Sequence, residues 1–288
     1  MTLESESIVR LPVHRVSPSK DAASEPIDDS LAVEEPLEIR LGHAGSSGFT
    51  TTSLAVTMRT PGADLDLAAG FLFTEAIIRS RADIARIAHA GPSRGRARTR
   101  NIVRVDLQSG VPVDLARLRR NFPVSSSCGV CGKASIEALA VRGCAALPAS
   151  SPRVPAQVLA ALPESLRAAQ PVFHQTGGLH AAGLFSSTGA LLAVREDVGR
   201  HNALDKLIGA KLLDGDLPLP DSILVLSGRI GFELVQKALI ARIPIVAAVG
   251  APTSLAVELA REFDITLAGF IRRAGFNLYS APQRIMNP

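Results

Sequence analysis

The chain has 288 residues, 47% of them hydrophobic, and a formal net charge of +4. This suits one large globular domain or two smaller ones and excludes a disordered chain. Aromatics make up only 4% and tryptophan is absent, so neither base stacking nor so modest a charge excess argues for nucleic-acid binding.

Residues 1–34 are polar, carry Pro12, Pro18 and Pro26, and lack the apolar core of a signal peptide. They are expected to form a flexible tail. Residues 37–41 alternate as a strand, and residues 53–59 supply its antiparallel partner. A helix is predicted over 64–79, with Asp64 as N-cap and Leu67, Phe71, Phe73, Ile77 and Ile78 on its apolar face. Residues 91–100 form a loop carrying Arg94, Arg96, Arg98 and Arg100, and residues 101–107 a strand. A second helix is predicted over 155–169, followed by a glycine turn at Gly177-Gly178 and a hairpin of strands at 179–185 and 190–195. Helices at 201–213, 232–242 and 254–262 then alternate with strands at 223–226, 245–249 and 265–269. Such β-α-β units imply parallel strands with right-handed crossovers. The expected class is therefore α/β, with an α+β N-terminal part: a tail over 1–34, an α+β portion over 35–125, a cysteine segment over 126–150 and an α/β domain over 151–288. No run of about 18 apolar residues occurs, so no membrane span is expected.

The cysteine segment is the most chemically loaded stretch. Ser125-Ser126-Ser127-Cys128-Gly129-Val130-Cys131-Gly132 holds two of only three cysteines. Residues 133–141 have helical spacing, which would put the thiols near unpaired backbone N–H groups and the positive end of a helix dipole. Both favour thiolate, and Lys133 adds positive charge. Three readings stand side by side. The pair could be a sulfur carrier or redox couple. It could be half of a zinc site with His174 and His180, although a second C-x-x-C is missing and the histidine spacing is wide. It could be a structural turn, which the flanking serines and glycines disfavour. Three cysteines make no disulfide framework and fit a reducing cytoplasm. Cys144 is read as a small buried hydrophobe.

Parallel strands bring their C-terminal ends to one edge, where open α/β sheets bind ligands. Three such ends carry small residues and arginines: Ser227-Gly228-Arg229-Ile230-Gly231, Gly250-Ala251-Pro252-Thr253-Ser254 and Phe270-Ile271-Arg272-Arg273-Ala274-Gly275. The first two open helices, whose N-termini favour phosphate. Neither common glycine-rich nucleotide fingerprint is present. Together the three ends point to an anionic, nucleotide-sized ligand. Arg195-Glu196-Asp197-Val198-Gly199-Arg200-His201-Asn202 joins a strand to a helix at the same place. Asp197 is read there as a helix cap, and His201 as an acid, a base or a ligand contact.

The cysteine loop resembles that of the formate dehydrogenase accessory sulfurtransferases, the FdhD family. So do residues 58–75 (MRTPGADLDLAAGFLFTE), 176–181 (TGGLHA), 195–209 (REDVGRHNALDKLIG) and 251–256 (APTSLA). The resemblance runs from about residue 36 to 284. It implies a C-terminal part similar to cytidine deaminases, a homodimer, and sulfur accepted from a cysteine desulfurase as a persulfide. It further implies delivery to the molybdenum bis-molybdopterin guanine dinucleotide cofactor, bound as substrate, for formate dehydrogenase. The family's persulfide cysteine maps onto Cys128 and its second loop cysteine onto Cys131. Its cofactor-binding stretch maps onto Phe270, Ile271, Arg272, Arg273, Ala274 and Gly275, where Arg272-Arg273-Ala274 replaces a Lys-Pro-Gly type of loop. The zinc motif of deaminases is missing, because two alanines follow His180 and a serine precedes Cys128. No permanent metal is expected. The competing reading is a zinc-stabilised cofactor chaperone that moves no sulfur.

Overall fold

The computed structural model describes residues 2–16, 26–45, 48–91, 100–113, 144–148 and 152–287. Cys128, Cys131, the helix expected over 133–141 and the arginines at 94, 96 and 98 lie outside the described residues.

The expected flexible tail is corrected. β1 (Thr2–Ser5), β2 (Ile8–His14) and β3 (Pro26–Ala32) form a three-stranded antiparallel sheet. Ile8 and Val9 are buried, and the Ser7 hydroxyl donates to the Pro61 carbonyl at 2.8 Å. Pro12 lies within β2. It pairs with Asp28 of β3 but lies beyond the residues that β1 reaches, so β2 is an edge there. A sheet tolerates proline at an edge.

β4 (Glu35–Gly45) and β5 (Gly48–Arg59) are the expected antiparallel pair. With β6 (Ile84–His89) and β7 (Ile102–Leu107) they make a four-stranded sheet, ordered β5-β4-β7-β6. α1 (Asp64–Thr74) is one turn shorter than its apolar pattern. Ala76, at φ 56°, closes it in a left-handed conformation. The Ala76 and Ile77 amides donate back to Phe73 and Leu72 at 2.9 and 2.8 Å, the two bonds of a Schellman ending. Ile78 is still buried beyond the helix end, which is why the apolar signal continued. The N-cap is Ala63, not Asp64. Asp64 is instead clasped by the fully buried Arg59, through two hydrogen bonds of 2.9 Å.

The second half begins with β8 (Val154–Pro155), α2 (Ala156–Ala168) and α3 (Pro171–Thr176). The expected hairpin follows as β9 (His180–Ser186) and β10 (Leu191–Asp197). Then come α4 (Arg200–Asp214), β11 (Ser222–Leu226), α5 (Phe232–Ile240), β12 (Ile245–Ala248), α6 (Ser254–Glu262) and β13 (Thr266–Arg272). β14 (Gly275–Ser280) and β15 (Ile285–Met286) end the chain, β15 lying parallel to β8. The sheet order is β10-β9-β11-β12-β13-β14. The predicted parallel units are β11, β12 and β13, while β9 and β14 flank them antiparallel.

Residues alternate between two cores along these strands. Leu224, Leu226, Val246 and Ala248 face the main core shared with α1, α4, α5, α6 and the four-stranded sheet. Ile223, Val225, Ile245 and Ala247 face a second core roofed by α2. Burial on both faces explains the unbroken apolar runs of β11 and β12. α1 and α4 cross backbone to backbone. A Cβ at Gly70 would sit 1.9 Å from the Asp205 carbonyl oxygen, and one at Gly209 would sit 1.8 Å from that of Asp66. Cys144, expected to be buried, is only half-buried and packs against the outside of the main core. Among the described residues no helix is long and apolar enough to cross a membrane.

Candidate functional site

The strand ends singled out in the sequence do converge. The Gly250 amide donates to the Gly228 carbonyl at 3.2 Å, and the Phe270 amide to the Gly250 carbonyl at 3.1 Å. The Ile230 amide reaches Ala251 at 3.0 Å, and the Thr253 amide reaches Ile230 at 2.9 Å. A side chain at Gly250 would meet the Gly228 carbonyl at 2.8 Å, so only glycine lets these loops close into a shelf. Because β9 runs antiparallel to β11, its N-terminal end reaches the same edge: the Ser227 amide donates to the Ala181 carbonyl at 3.1 Å. Asp197, at the end of β10, pairs with His180.

The stretch 270–275 is not a free loop after the last strand. Phe270 and Arg272 are in β13, Arg273 and Ala274 form the turn, and Gly275 pairs with Arg272 as β14 begins. Ile271 is 1% exposed in the second core, so its backbone, not its side chain, is what a ligand could meet. Arg272, Arg273, Ala274 and Gly275 are exposed. Arg273 lies 3.6 Å from Glu164 on α2. Phe270 is exposed and holds a left-handed φ of 55°, unusual for a bulky residue and a mark of a shaped site. Arg229 is exposed at the same edge.

The dense run from Arg195 to Asn202 divides by residue. Arg195 grips Asp66 on α1 at 2.8 Å. Glu196 accepts the Val172 and Phe173 amides at the start of α3, at 3.1 and 2.8 Å. Asp197 is fully buried against Lys206 at 2.7 Å and accepts the Gly199 amide at 2.8 Å. Asn202 donates to the Met58 carbonyl at 2.7 Å. These four build the fold: Arg195 and Asn202 tie α4 and its entry to the first half of the chain, Glu196 ties the entry to α3, and Asp197 ties it to α4 itself. Arg200 and His201 are left for the edge, and the buried Nε of Arg200 has no hydrogen-bond partner.

His201 and Asp205 are one turn apart on α4, and Glu233 and Lys237 one turn apart on α5. The two helices therefore face each other in two rungs. In the outer rung, His201 Nε2 lies 3.1 Å from Glu233 Oε2. In the inner rung, Lys237 donates to both Asp205 oxygens at 3.0 Å and to Thr74 of α1 at 2.9 Å. Burial, and then the positive charge of Arg200 and Lys237, push His201 down to about 4. At neutral pH its contact with Glu233 is therefore a hydrogen bond from an uncharged ring, not an ion pair. Burial raises the Asp205 carboxyl against the pull of Lys237. Burial also works against charge on Lys237, but the carboxylates of Asp205 and Glu75 outweigh it and hold the ammonium above its usual range. His180 is lowered by burial and then by Arg200. His174 sits exposed on α3, whereas His180 begins β9. Asp205, Glu233 and Lys237 were missed as a group, although two titratable pairs at four-residue spacing on successive helices are a readable signal.

A family model described as the FdhD/NarQ family matches residues 32–286. The chain belongs to the FdhD/NarQ family. It is 49% identical over 270 residues to a sulfur carrier protein FdhD of Streptomyces coelicolor, with 92% of each chain covered. It is 50% identical over 260 residues to the protein of the same name in Mycolicibacterium paratuberculosis, which covers 89% of this chain and 92% of the relative. Among solved structures, a provisionally named formate dehydrogenase accessory protein from Desulfotalea psychrophila superposes with a TM-score of 0.72. That match covers 97% of this chain and 100% of the other, and at 23% identity it bears on the fold alone. The FdhD/NarQ match takes in the strand-end shelf, the two-rung helix pair and the cysteine segment together.

Proposed function

We propose that this FdhD/NarQ chain is a sulfurtransferase that relays sulfur as a persulfide on Cys128. The observation that carries the reading is family membership across residues 32–286 in a chain whose C-x-x-C lies inside that span. Relatives named as sulfur carriers support it at about half identity. In the first step the Cys128 thiolate attacks the outer sulfur of a cysteine desulfurase persulfide. The donor's S–S bond breaks, a new one forms on Cys128, and the desulfurase leaves as thiolate. In the second step Cys131 attacks the inner sulfur of Cys128. A disulfide forms and the outer sulfur departs as sulfide to the substrate, the molybdenum bis-molybdopterin guanine dinucleotide cofactor destined for formate dehydrogenase. A thiol reductant then restores the pair.

The shelf formed by Gly228, Gly250 and Phe270 is the proposed seat of that cofactor. The exposed Phe270-to-Gly275 hairpin reaches past it, and Arg229 and Arg272 are available for phosphates. The sheet order, with three parallel strands flanked by an antiparallel hairpin, supports the deaminase-like scaffold, and a homodimer belongs to the same reading. Incubation with a cysteine desulfurase and cysteine, followed by intact-mass measurement, tests the relay. The expected result is a gain of one sulfur that Cys128→Ala abolishes. An adduct that survives Cys128→Ala removes Cys128 from the role. Stoichiometric zinc lost on Cys128→Ser and Cys131→Ser would favour a cofactor chaperone instead.

A further inference from the structure

α3 differs from the other described α-helices in how it is seated. None of its residues is buried, and neither Val172 nor Phe173 packs against either core. Every other α-helix buries three or more of its residues. An element with so few buried apolar contacts opens locally for little free energy. α3 also has room on both sides. A cavity of about 380 Å³ lies between it and the strand-end shelf, walled by Phe173, Leu179, His180, Ser227 and Val249. A second, of about 230 Å³, lies behind it, walled by Pro171, Val172, Thr60, Gly62 and Ser7. Leu179 is buried just beyond the helix and lines both.

The chain on either side of α3 has the make-up of a hinge. Before it, the buried Gln170 closes α2 through its amide, which donates to the Arg167 carbonyl at 3.2 Å. After it, Gly177 takes a left-handed φ of 65° with open space where a side chain would be, and Gly178 follows. Glycine changes backbone conformation there without steric penalty. Three contacts from outside hold the helix down. Glu196, at the end of β10, accepts the Val172 and Phe173 amides at 3.1 and 2.8 Å. Arg167 of α2 lies 4.6 Å over the Phe173 ring. β3 packs along α3, and a Cβ on Gly178 would touch that of Ala32 at 3.7 Å. The N-terminal sheet behind β3 is itself pinned, by buried Ile8 and Val9 and by the Ser7 hydroxyl on the Pro61 carbonyl at 2.8 Å.

We propose that α3 is a latched flap over the larger cavity. It swings about Gln170 and Gly177-Gly178, the Glu196 carboxylate is its latch, and the N-terminal sheet is its brace. Opening lifts Phe173 from the cavity wall and uncovers Leu179, and closing restores both amide bonds to Glu196. Flaps of this kind set when a site is entered and when it is shut from water. This one controls the approach to the strand-end shelf from the α2–α3 side whatever the cavity holds, so it stands apart from the sulfur relay.

Thiol labelling of a Leu179→Cys chain with iodoacetamide tests this, peptide mass reading the modification at position 179 alone. Glu196→Ala added to that chain removes the latch. It is expected to raise the labelling rate about tenfold or more, since two hydrogen bonds to a charged group are lost. Ile8→Asp unseats the brace and is expected to raise the rate as well. Hydrogen exchange is followed on the same proteins, and the Gly250 and Phe270 amides of the shelf are expected to keep their protection. A labelling rate unmoved by Glu196→Ala or by Ile8→Asp overturns the proposal. So does a rise that comes only with quicker exchange at Gly250 and Phe270, which marks general unfolding. Should Leu179→Cys not fold, exchange in the unaltered chain decides. The Val172 and Phe173 amides are expected to exchange about tenfold faster or more than those of Gly250 and Phe270, and equal protection overturns the flap.

Discussion

His201 is held uncharged by where it sits. One side of the ring meets Glu233, but burial and the positive charge of Arg200 and Lys237 outweigh that carboxylate. The ordinary value of 6.5 applies in the unfolded chain, and about 4 in the folded one. Between these values the unfolded state binds a proton that the folded state refuses, so stability must fall as pH drops from 6.5 toward 4. A His201→Gln variant should flatten that dependence in urea unfolding across the window. NMR of the imidazole should report a neutral ring until the pH approaches 4. A ring that titrates near 6.5 would mean that Glu233 wins and that the edge carries a histidinium. The same residue illustrates what sequence could and could not say. The crowding of polar groups from Arg195 to Asn202 was visible, but which of them build and which face the edge depends on Asp66, Met58 and Lys206, none of them adjacent in sequence to the run's centre.

Element by element, the sequence was most legible where apolar runs are bounded by glycine or proline. The helix predicted over 254–262 and the strands at 223–226 and 245–249 match their observed spans within a residue or two. It was least legible where the deciding partner is remote. β2 interrupts its apolar residues with Arg10 and Pro12, β3 carries only Ile27, Leu31 and Ala32 as apolar residues besides its proline, and β14 has only two side chains of its six turned even partly inward before Ser280. α1 ends on an alanine in the left-handed region, with no glycine to flag it. Gly70 and Gly209 lie inside predicted helices, where glycine is a cost of roughly 1 kcal/mol against alanine. Their reason is the crossing of α1 and α4, where the backbones approach too closely for any Cβ. Alanine at either site, nominally the better helix former, should therefore destabilise by about 3 kcal/mol or more, because backbone rather than a flexible side chain must move. Urea midpoints of Gly70→Ala, Gly209→Ala and the double variant check it. The double variant should cost less than the sum, since the first alanine already forces the helices apart. Midpoints at or above wild type would mean that the crossing has slack.

Across the whole molecule, residues 144–148 are held at the edge opposite the shelf. Leu147 is buried, and its amide donates to the Phe263 carbonyl at 3.0 Å, just before β13 begins. The Ala145 carbonyl accepts from Arg242, and the Pro148 carbonyl from Arg284, each at 2.6 Å. Phe270 and Gly250 mark the other end of the same strands. Seven residues of β13, roughly 23 Å, separate the two edges. The contacts of residues 144–148 anchor the chain at the edge opposite the shelf. Arg284 is central to that anchor. It is fully buried, and besides Pro148 it donates to Thr266 at 3.1 Å and to Asp264 at 3.2 Å. Burial lowers its pKa, with Asp264 opposing. Arg284→Met should cost about 3 kcal/mol, because it leaves the Asp264 carboxylate and the Pro148 carbonyl without their guanidinium. The loss should also be local. Hydrogen exchange is expected to quicken at the Leu147 amide while the Gly250 and Phe270 amides keep their protection. Exchange that quickens equally at both edges would show that the anchor and the shelf unfold as one unit. In that case residues 144–148 could not be released without opening the proposed cofactor seat as well.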